Sequence, residues 1–379
     1  MKYIAFYDTL EYLSEKRSVA PAAANVVTYM AECFADFTRV EIISPSRTLL
    51  DRGFFPGRRS RVSDRISVVQ PPTWGTRSLP GRLLVCAWTQ LWLFMYLFFR
   101  LRRHEKIVVY HSLSTMTVVR WLKKIYSLEL ILEVREIYSD IDRDKKIKAR
   151  EMAFFRLGDQ YIFPTELLNK IINRDCREYV IATGLYKSAP DLSAPPPDGK
   201  IHVVYAGTLA KYKGAWLTVE VAVFLPENFR VHILGYGSPE EMVLMREKIA
   251  ECGKAEAAQV SYDGVLRGEE FDKFLQRCHI GLALQDISGK FNESSFPSKI
   301  LAYMADDLTV IAPAIEAIKG SPVGKYLIYY DNNSPRAIAD VIMQTERKER
   351  GENRKILESL DQDLRGRLKK LFDAENAGR

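Results

Sequence analysis

Phe291–Ala305 reads FNESSFPSKILAYMA, residue types that suit a helix start holding an anion. Ser294 and Ser295 are good capping residues, Pro297 is preorganised for a first turn, and Lys299 projects from that turn. Free N–H groups at such a terminus carry partial positive charge, worth about 0.3–1 kcal/mol per favourable charge at an exposed site. An ammonium beside them completes a pocket for a diphosphate. Three more segments run as strand and then glycine. Val203–Gly214, VVYAGTLAKYKG, stops at Gly207 and turns through Thr208 to Lys211 and Lys213. Glycine there lets backbone approach a ligand, and lysines behind it can meet phosphate. Ile233–Gly237 is ILGYG, with Gly235 and Gly237, and Tyr262–Leu266 is YDGVL, a strand end where main chain could read a base edge. Each alone fits an ordinary turn or capped helix. Four of them at strand carboxyl ends within one domain point to one ligand site.

The elements that must position these residues alternate as short apolar run and helical pattern, the sign of mostly parallel sheets. In the first half the pattern predicts strands at Tyr3–Tyr7, Arg39–Ser44, Lys106–Tyr110, Leu128–Val134 and Gln160–Phe163. Helices are expected at Pro21–Phe34, Leu83–Leu101, Thr115–Tyr126 and Ile147–Leu157. Residues 187–199, KSAPDLSAPPPDG, carry four prolines and no periodic face, as an interdomain linker does. The alternation then restarts at Ile201–Tyr205 and continues to a helix at Arg336–Thr345. The division expected is residues 1–186, a linker 187–199, residues 200–350, and a terminal helix in 351–379. Both domains read as α/β and doubly wound.

A chain of 379 residues suits two domains, and 47% hydrophobic with 27% charged residues excludes long disorder. Five Cys without CxxC spacing exclude a disulfide scaffold and a Cys-type zinc site, and suit a reducing cytosol. No cleavable signal peptide is expected, since Met1-Lys2 leads straight into the apolar run Tyr3–Tyr7. The five His (His104, His111, His202, His232, His279) show no paired ligand spacing, so no metal is expected and each is assigned a surface or packing role.

Charge is uneven. Residues 1–190 hold 30 Lys and Arg against 20 Asp and Glu, and the remainder 25 against 28. Residues 47–106 alone hold twelve basic side chains against Asp51, Asp64 and Glu105. Such a front half wants an anionic partner. Leu83–Phe99, LLVCAWTQLWLFMYLFF, is the most apolar stretch. It reads as a buried helix or as one whose outer face dips into a bilayer, with Arg82, Arg100, Arg102 and Arg103 reaching phosphates and Trp88 and Trp92 at the interface. Because the aromatics lie in an apolar helix rather than among the arginines, nucleic acid is not the expected partner.

The set AGTL…KYKG, ILGYG, YDGVL and SSFPSKILAYMA resembles the carboxyl-terminal half of bacterial glycosyltransferases of family 4, which have the GT-B fold. The first half looks like the branch that assembles capsule, O-antigen and exopolysaccharide. The matching pieces are Arg17–Ala23, LEVREIYSD at 132–140, YIFPTELLNK at 161–170 and Gly184–Tyr186. The resemblance implies two Rossmann-like domains facing across a cleft. It further implies retaining transfer of a hexosyl unit from a nucleotide sugar, UDP-sugar favoured, to a lipid-linked oligosaccharide or polysaccharide, with no metal or cofactor. The enzyme would be cytoplasmic and peripheral on the inner face of the membrane. Lys213 and Lys299 would hold the diphosphate with the Ser295 and Phe296 amides, Gly207 and Thr208 would form the floor, and Val265 and Leu266 would meet the base. Gly235, Gly237 and Ser294 would complete the donor site. Arg17, Glu133 and Tyr138 would face the acceptor. Glu136 and Glu293 are the carboxylate candidates for catalysis. The family's ribose-binding glutamate falls on Ala302, and its donor-sugar glutamate on Ser294, with Glu293 beside it. Loss of the first leaves a catalytically degenerate partner subunit as the alternative.

Overall fold

The computed structural model describes residues 1–9, 14–139, 145–210, 214–252, 257–285 and 296–374. The chain divides into two compact units, Met1–Leu185 with Asp363–Arg379, and Tyr186–Gln362. The terminal helix is therefore not a separate piece, because its last residues belong to the first unit.

In the first unit β1 (Lys2–Ile4), α1 (Pro21–Ala35), β2 (Val40–Ile43), a small hairpin of β3 (Phe54–Phe55) with β6 (Thr73–Trp74), β4 (Arg58–Arg61) and β5 (Ile66–Gln70) come first. There follow α2 (Leu79–Phe98), β7 (Lys106–Tyr110), α3 (Met116–Tyr126), β8 (Glu129–Glu133), α4 (Lys145–Phe155), β9 (Gln160–Phe163), α5 (Glu166–Ile172) and β10 (Tyr179–Ile181). The sheet order is β10-β9-β8-β7-β1-β2-β5-β4. Every pairing is parallel except β4 with β5. Ile107, Val108 and Val109 are fully buried, as a strand covered on both faces requires. The edge strand β4 reads RRSR; charge on an edge discourages pairing with another chain.

α2 starts at Ser78, whose hydroxyl accepts from the Gly81 amide at 3.2 Å, with Pro80 in the first turn. At 20 residues it spans about 30 Å, long enough to cross a bilayer. Four of its side chains, Val85, Thr89, Leu93 and Leu97, are buried, and Leu93 and Leu97 belong to the core of the unit.

The second unit carries β11 (Ile201–Ala206), α6 (Ala215–Ala222), β12 (Phe229–Leu234), α7 (Pro239–Cys252), β13 (Gln259–Gly264), α8 (Glu269–Leu275) and β14 (Ile280–Leu282). α9 (Lys299–Ala305), β15 (Thr309–Pro313), α10 (Glu316–Lys319), β16 (Ile328–Tyr330) and α11 (Pro335–Gln344) follow, and then α12 (Glu352–Asp373). The order β13-β12-β11-β14-β15-β16 is parallel throughout.

The proline-rich segment is strapped down rather than loose. Gln276 donates to Pro190 O at 2.8 Å and to Asp306 Oδ1 at 3.0 Å, while its Oε1 accepts from the Leu192 and Ser193 amides at 2.8 and 2.9 Å. One amide thus uses its full hydrogen-bonding capacity. Burial pushes the Asp306 carboxyl up to about 7, against the Gln276 hydrogen bond and with a smaller push from Asp272. The folded chain keeps this proton while the unfolded aspartate releases it near ~3.9, so stability falls as pH rises from about 4 to about 7 and is flat above. Asp306→Asn, which keeps the acceptor for Gln276, should flatten that slope and raise the unfolding midpoint at pH 8. A variant that retains the wild-type slope in urea titrations would place the proton elsewhere.

Candidate functional site

The second unit has a hollow of about 310 Å³ at the carboxyl ends of β11 and β12. Its floor is backbone. Gly207 donates to Leu234 O at 3.0 Å, and Gly235 to Gly264 O at 2.8 Å. Gly235 has φ 146°, and a Cβ there would lie 1.6 Å from Gly207 O, so no other residue fits. Val265, Leu266 and Phe271 form an apolar wall, and Tyr236 and Arg267 stand at the mouth. On the other side α9 supplies Lys299, Ala302 and Tyr303. The Tyr303 hydroxyl accepts from the Ala206 amide at 2.7 Å and donates to Leu282 O at 3.3 Å, which ties α9 to two strand ends. Lys299 Nζ lies 4.0 Å from the centre of the Tyr205 ring, which holds the ammonium beside Gly207. A cation over a floor of backbone groups, with an apolar wall alongside, can take a phosphorylated ligand carrying a flat apolar part.

The first unit has a cavity of about 590 Å³ beyond the ends of β1, β2 and β7. Ser18, Arg47, Tyr110, His111, Ser112 and Tyr138 give it hydroxyls, aromatic faces and one cation, and Cys86, Ala87, Thr89 and Gln90 of α2 close one side. His111 and Glu151 are both buried, and Nε2 meets Oε1 at 2.7 Å. Glu151 also accepts from the Tyr138 and Ser139 amides at 2.9 and 3.0 Å. Burial pushes this carboxyl up, but the hydrogen bonds from His111 and Ser139 outweigh it and hold it below the usual range. A carboxylate only accepts, so Nε2 carries the proton, and Nδ1 is buried without a hydrogen-bond partner. Burial pushes the Tyr110 hydroxyl up to about 12 and raises Tyr138 further, so both stay protonated donors.

Of the residues singled out in the sequence, Gly207, Gly235, Val265, Leu266 and Lys299 come together around the second-unit hollow. Thr208 and Gly237 lie beyond its wall. Lys213, Glu293, Ser294 and Ser295 lie outside the described residues. α9 begins at Lys299, not at Pro297, and Ser298 offers no side-chain cap, so Phe296 stands ahead of the helix rather than in its first turn. Tyr138 lies on the first-unit cavity. Two acceptor assignments are corrected. Glu133 is fully buried, takes hydrogen bonds from Tyr3 and Arg135, and shows no surface to a ligand. Arg17 is a loop clamp: its guanidinium pairs with Glu15 at 2.7 Å and donates to Ser46 O and Pro71 O at 2.9 and 3.0 Å. Glu136 is solvent-exposed, yet partial burial and the charge of Glu151 raise its carboxyl above the usual range. Trp88 and Trp92 are half-buried: Trp88 donates to Pro72 O at 2.9 Å, and Trp92 stacks on Tyr96 against the core.

His111 was missed; its place directly after the run Lys106–Tyr110, at a strand's carboxyl end, was the available signal. Three other histidines do meet. His202 Nδ1 is 2.9 Å from His232 Nε2, His232 is paired with Asp263 at 3.1 Å, and the His279 ring accepts from the His202 amide at 3.0 Å. Burial holds His202 and His279 below the usual histidine range. Among the described residues no three His, Cys, Asp or Glu side chains form a group that could hold a metal ion.

No protein-family model and no curated protein matches this chain. Solved structures do. A trehalose-6-phosphate synthase, OtsA, superposes with TM-score 0.67 at 8% identity over 99% of both chains. The trehalose 6-phosphate synthase of Burkholderia multivorans gives 0.62 at 11% over 98% of this chain and 94% of that one. Anabaena HepE in complex with UDP gives 0.58 at 12% over 98% and 96%. The chain therefore has the GT-B fold, two Rossmann-like α/β units. At this identity the likeness defines the fold alone.

The contact between Gly207 and Gly235 can be tested directly. Gly235→Ala drives a methyl into backbone and should cost at least the upper end of the usual overpacking range, about 3 kcal/mol. Gly237→Ala, whose three nearest neighbours are side-chain atoms of Glu241 and Leu209 at 2.8–3.0 Å rather than backbone, should cost clearly less. Equal unfolding midpoints for the two variants would contradict the geometry.

Proposed function

We propose that the chain is a retaining glycosyltransferase of the family 4 type. It moves a hexosyl unit from a nucleotide sugar, with UDP-sugar as the first choice, to a lipid-linked oligosaccharide or polysaccharide in capsule, O-antigen or exopolysaccharide assembly. The observation that carries this reading is Lys299 held over Tyr205 at the wall of a hollow floored by Gly207 and Gly235. Breaking the bond from sugar to diphosphate leaves negative charge on the phosphate, and a cation fixed beforehand stabilises that charge without reorganising. Val265, Leu266 and Phe271 offer the flat apolar surface a base needs. Neighbours of the same fold hold UDP-2-fluoro glucose and UDP, which supports a nucleotide sugar as donor.

The first-unit cavity would take the acceptor. Serine, tyrosine and histidine side chains there suit sugar hydroxyls, and its aromatic faces suit pyranose rings. In the retaining mechanism the departing diphosphate receives the acceptor's proton. Glu136 and Glu293 are then left as binding carboxylates, with Glu136 the one near Tyr138 in sequence. The work would take place on the cytoplasmic face of the membrane, where a lipid-linked acceptor is found.

One observation favours a second reading. Ala302 lines the hollow where the family carries its ribose-binding glutamate, as a degenerate partner subunit would allow. Calorimetry separates the two. The wild-type chain should bind UDP, and Lys299→Ala should bind it about 10- to 100-fold more weakly, the worth of one hydrogen bond to a charged group. A wild-type chain with no affinity for UDP or GDP transfers the assignment to the partner subunit, and undiminished binding by Lys299→Ala removes Lys299 from the site.

A further inference from the structure

α2 breaks the pattern of a helix on a water-exposed surface. Among its 20 residues only Arg82 is charged. One stripe, Val85, Thr89, Leu93 and Leu97, is buried. The opposite stripe is just as apolar and faces solvent: Leu84 (65% exposed), Leu91 (54%), Met95 and Phe98. A helix apolar all round belongs in a core or against lipid. α3 packs beside it through Phe98 and Tyr126, with ring centres 5.9 Å apart, and adds exposed Trp121 (57%) and Ile125. Exposed apolar side chains therefore stand on both of these neighbouring helices, in a number that an isolated surface leucine does not explain.

The rim around them is basic. Arg82 stands at one end of α2 and Arg100, Arg102 and Arg103 at the other, while Arg120 and Lys124 flank Trp121 and Ile125 on α3. Arg100 is held over the Tyr96 ring at 4.8 Å. Asp51 lies near Arg82, at 3.6 Å, and Glu105 accepts from the Arg102 amide at 2.8 Å. We propose that this face docks on the surface of an anionic bilayer, with Leu84, Leu91, Met95, Phe98 and Trp121 in the acyl boundary and the arginines on lipid phosphates. Charge complementarity selects lipid over a second copy of the chain, because a two-fold interface would set one cationic rim against its twin. The docking surface stands without the transferase reading. A second step rests on that reading: Cys86, Ala87, Thr89 and Gln90 of the same helix line the first-unit cavity, so docking puts the acceptor site about one helix diameter, ~10 Å, from the lipid.

Flotation of the full chain with vesicles tests the surface. The probes are phosphatidylcholine alone and phosphatidylcholine with about one third phosphatidylglycerol. Each basic residue near an anionic surface adds about fivefold, so binding to the anionic vesicles should be tenfold or more tighter and should fall with salt. Leu84→Glu with Leu91→Glu should abolish flotation while the unfolding midpoint holds, since both side chains point to solvent. Arg100→Glu with Arg102→Glu and Arg103→Glu should remove the preference for anionic lipid. Trp121 emission should shift to the blue on binding, and Trp121→Phe should remove the shift. No flotation, equal binding to both vesicles, or a dimer in light scattering that Leu91→Glu dissociates would each overturn the proposal. UDP binding by the same preparations reports on the transferase reading separately.

Discussion

The hollow in Tyr186–Gln362 exists because two strand ends approach more closely than a side chain permits. A Cβ on Gly235 would meet Gly207 O at 1.6 Å, so the chain there is backbone on backbone. The same economy recurs one layer back, where a Cβ on Gly281 would lie 2.5 Å from the Tyr303 ring. That absence lets Tyr303 reach the Ala206 amide and Leu282 O and fix α9 against the sheet. Once α9 is fixed, the position of Lys299 follows, and Tyr205 below it gives the ammonium a face to rest on. The place of one cation thus traces back to three glycines and two tyrosines, none of them charged.

In Met1–Leu185 the ordering groups are carboxylates, and they order by accepting. Glu151 gathers His111 and two amides of the loop after β8, which sets Tyr138 against the His111 ring at 5.4 Å. Glu133 joins Tyr3 of the central strand to Arg135, and Arg135 reaches on to Ala182 O. Burying a charge costs several kcal/mol unless every lone pair is met, and removing one partner of such a pair costs about 3–5 kcal/mol. These carboxylates therefore shape the cavity from behind, and a carboxylate so committed is a poor choice for direct contact with a substrate.

The strands that were legible in the sequence are those buried on both faces. Lys106–Tyr110 and Gln160–Phe163 read as unbroken apolar runs and form as such. β4 was not legible, because RRSR carries no apolar period; it pairs only because β5 beside it is buried. Gly207 and Gly235 at strand ends were legible as neighbours in one hollow, since they follow the runs directly. Side-chain direction was not. Arg17 and Glu133 have the chemistry of ligand contacts, and only long-range partners, at Ser46, Pro71 and Tyr3, show that they serve the interior. Likewise Trp88 and Trp92 fall on the flank of α2 and are half-buried, whereas Trp121, on a helix of mixed character, is exposed.

The two halves of the chain handle anions by different physics. Residues 1–190 have an excess of ten basic side chains, enough to attract an anionic surface over several ångströms, and the attraction fades beyond a screening length of about 8 Å at physiological salt. The remainder has three more acids than bases. What its hollow offers an anion is short-range groups, namely Lys299, Arg267 at the mouth, and the backbone of Gly207 and Gly235. A diffuse field suits a partner that is broad and fixed in place, such as a membrane. A local cation inside an apolar wall suits a small ligand that has to be chosen from among many anions, since the wall rewards the base as well as the charge.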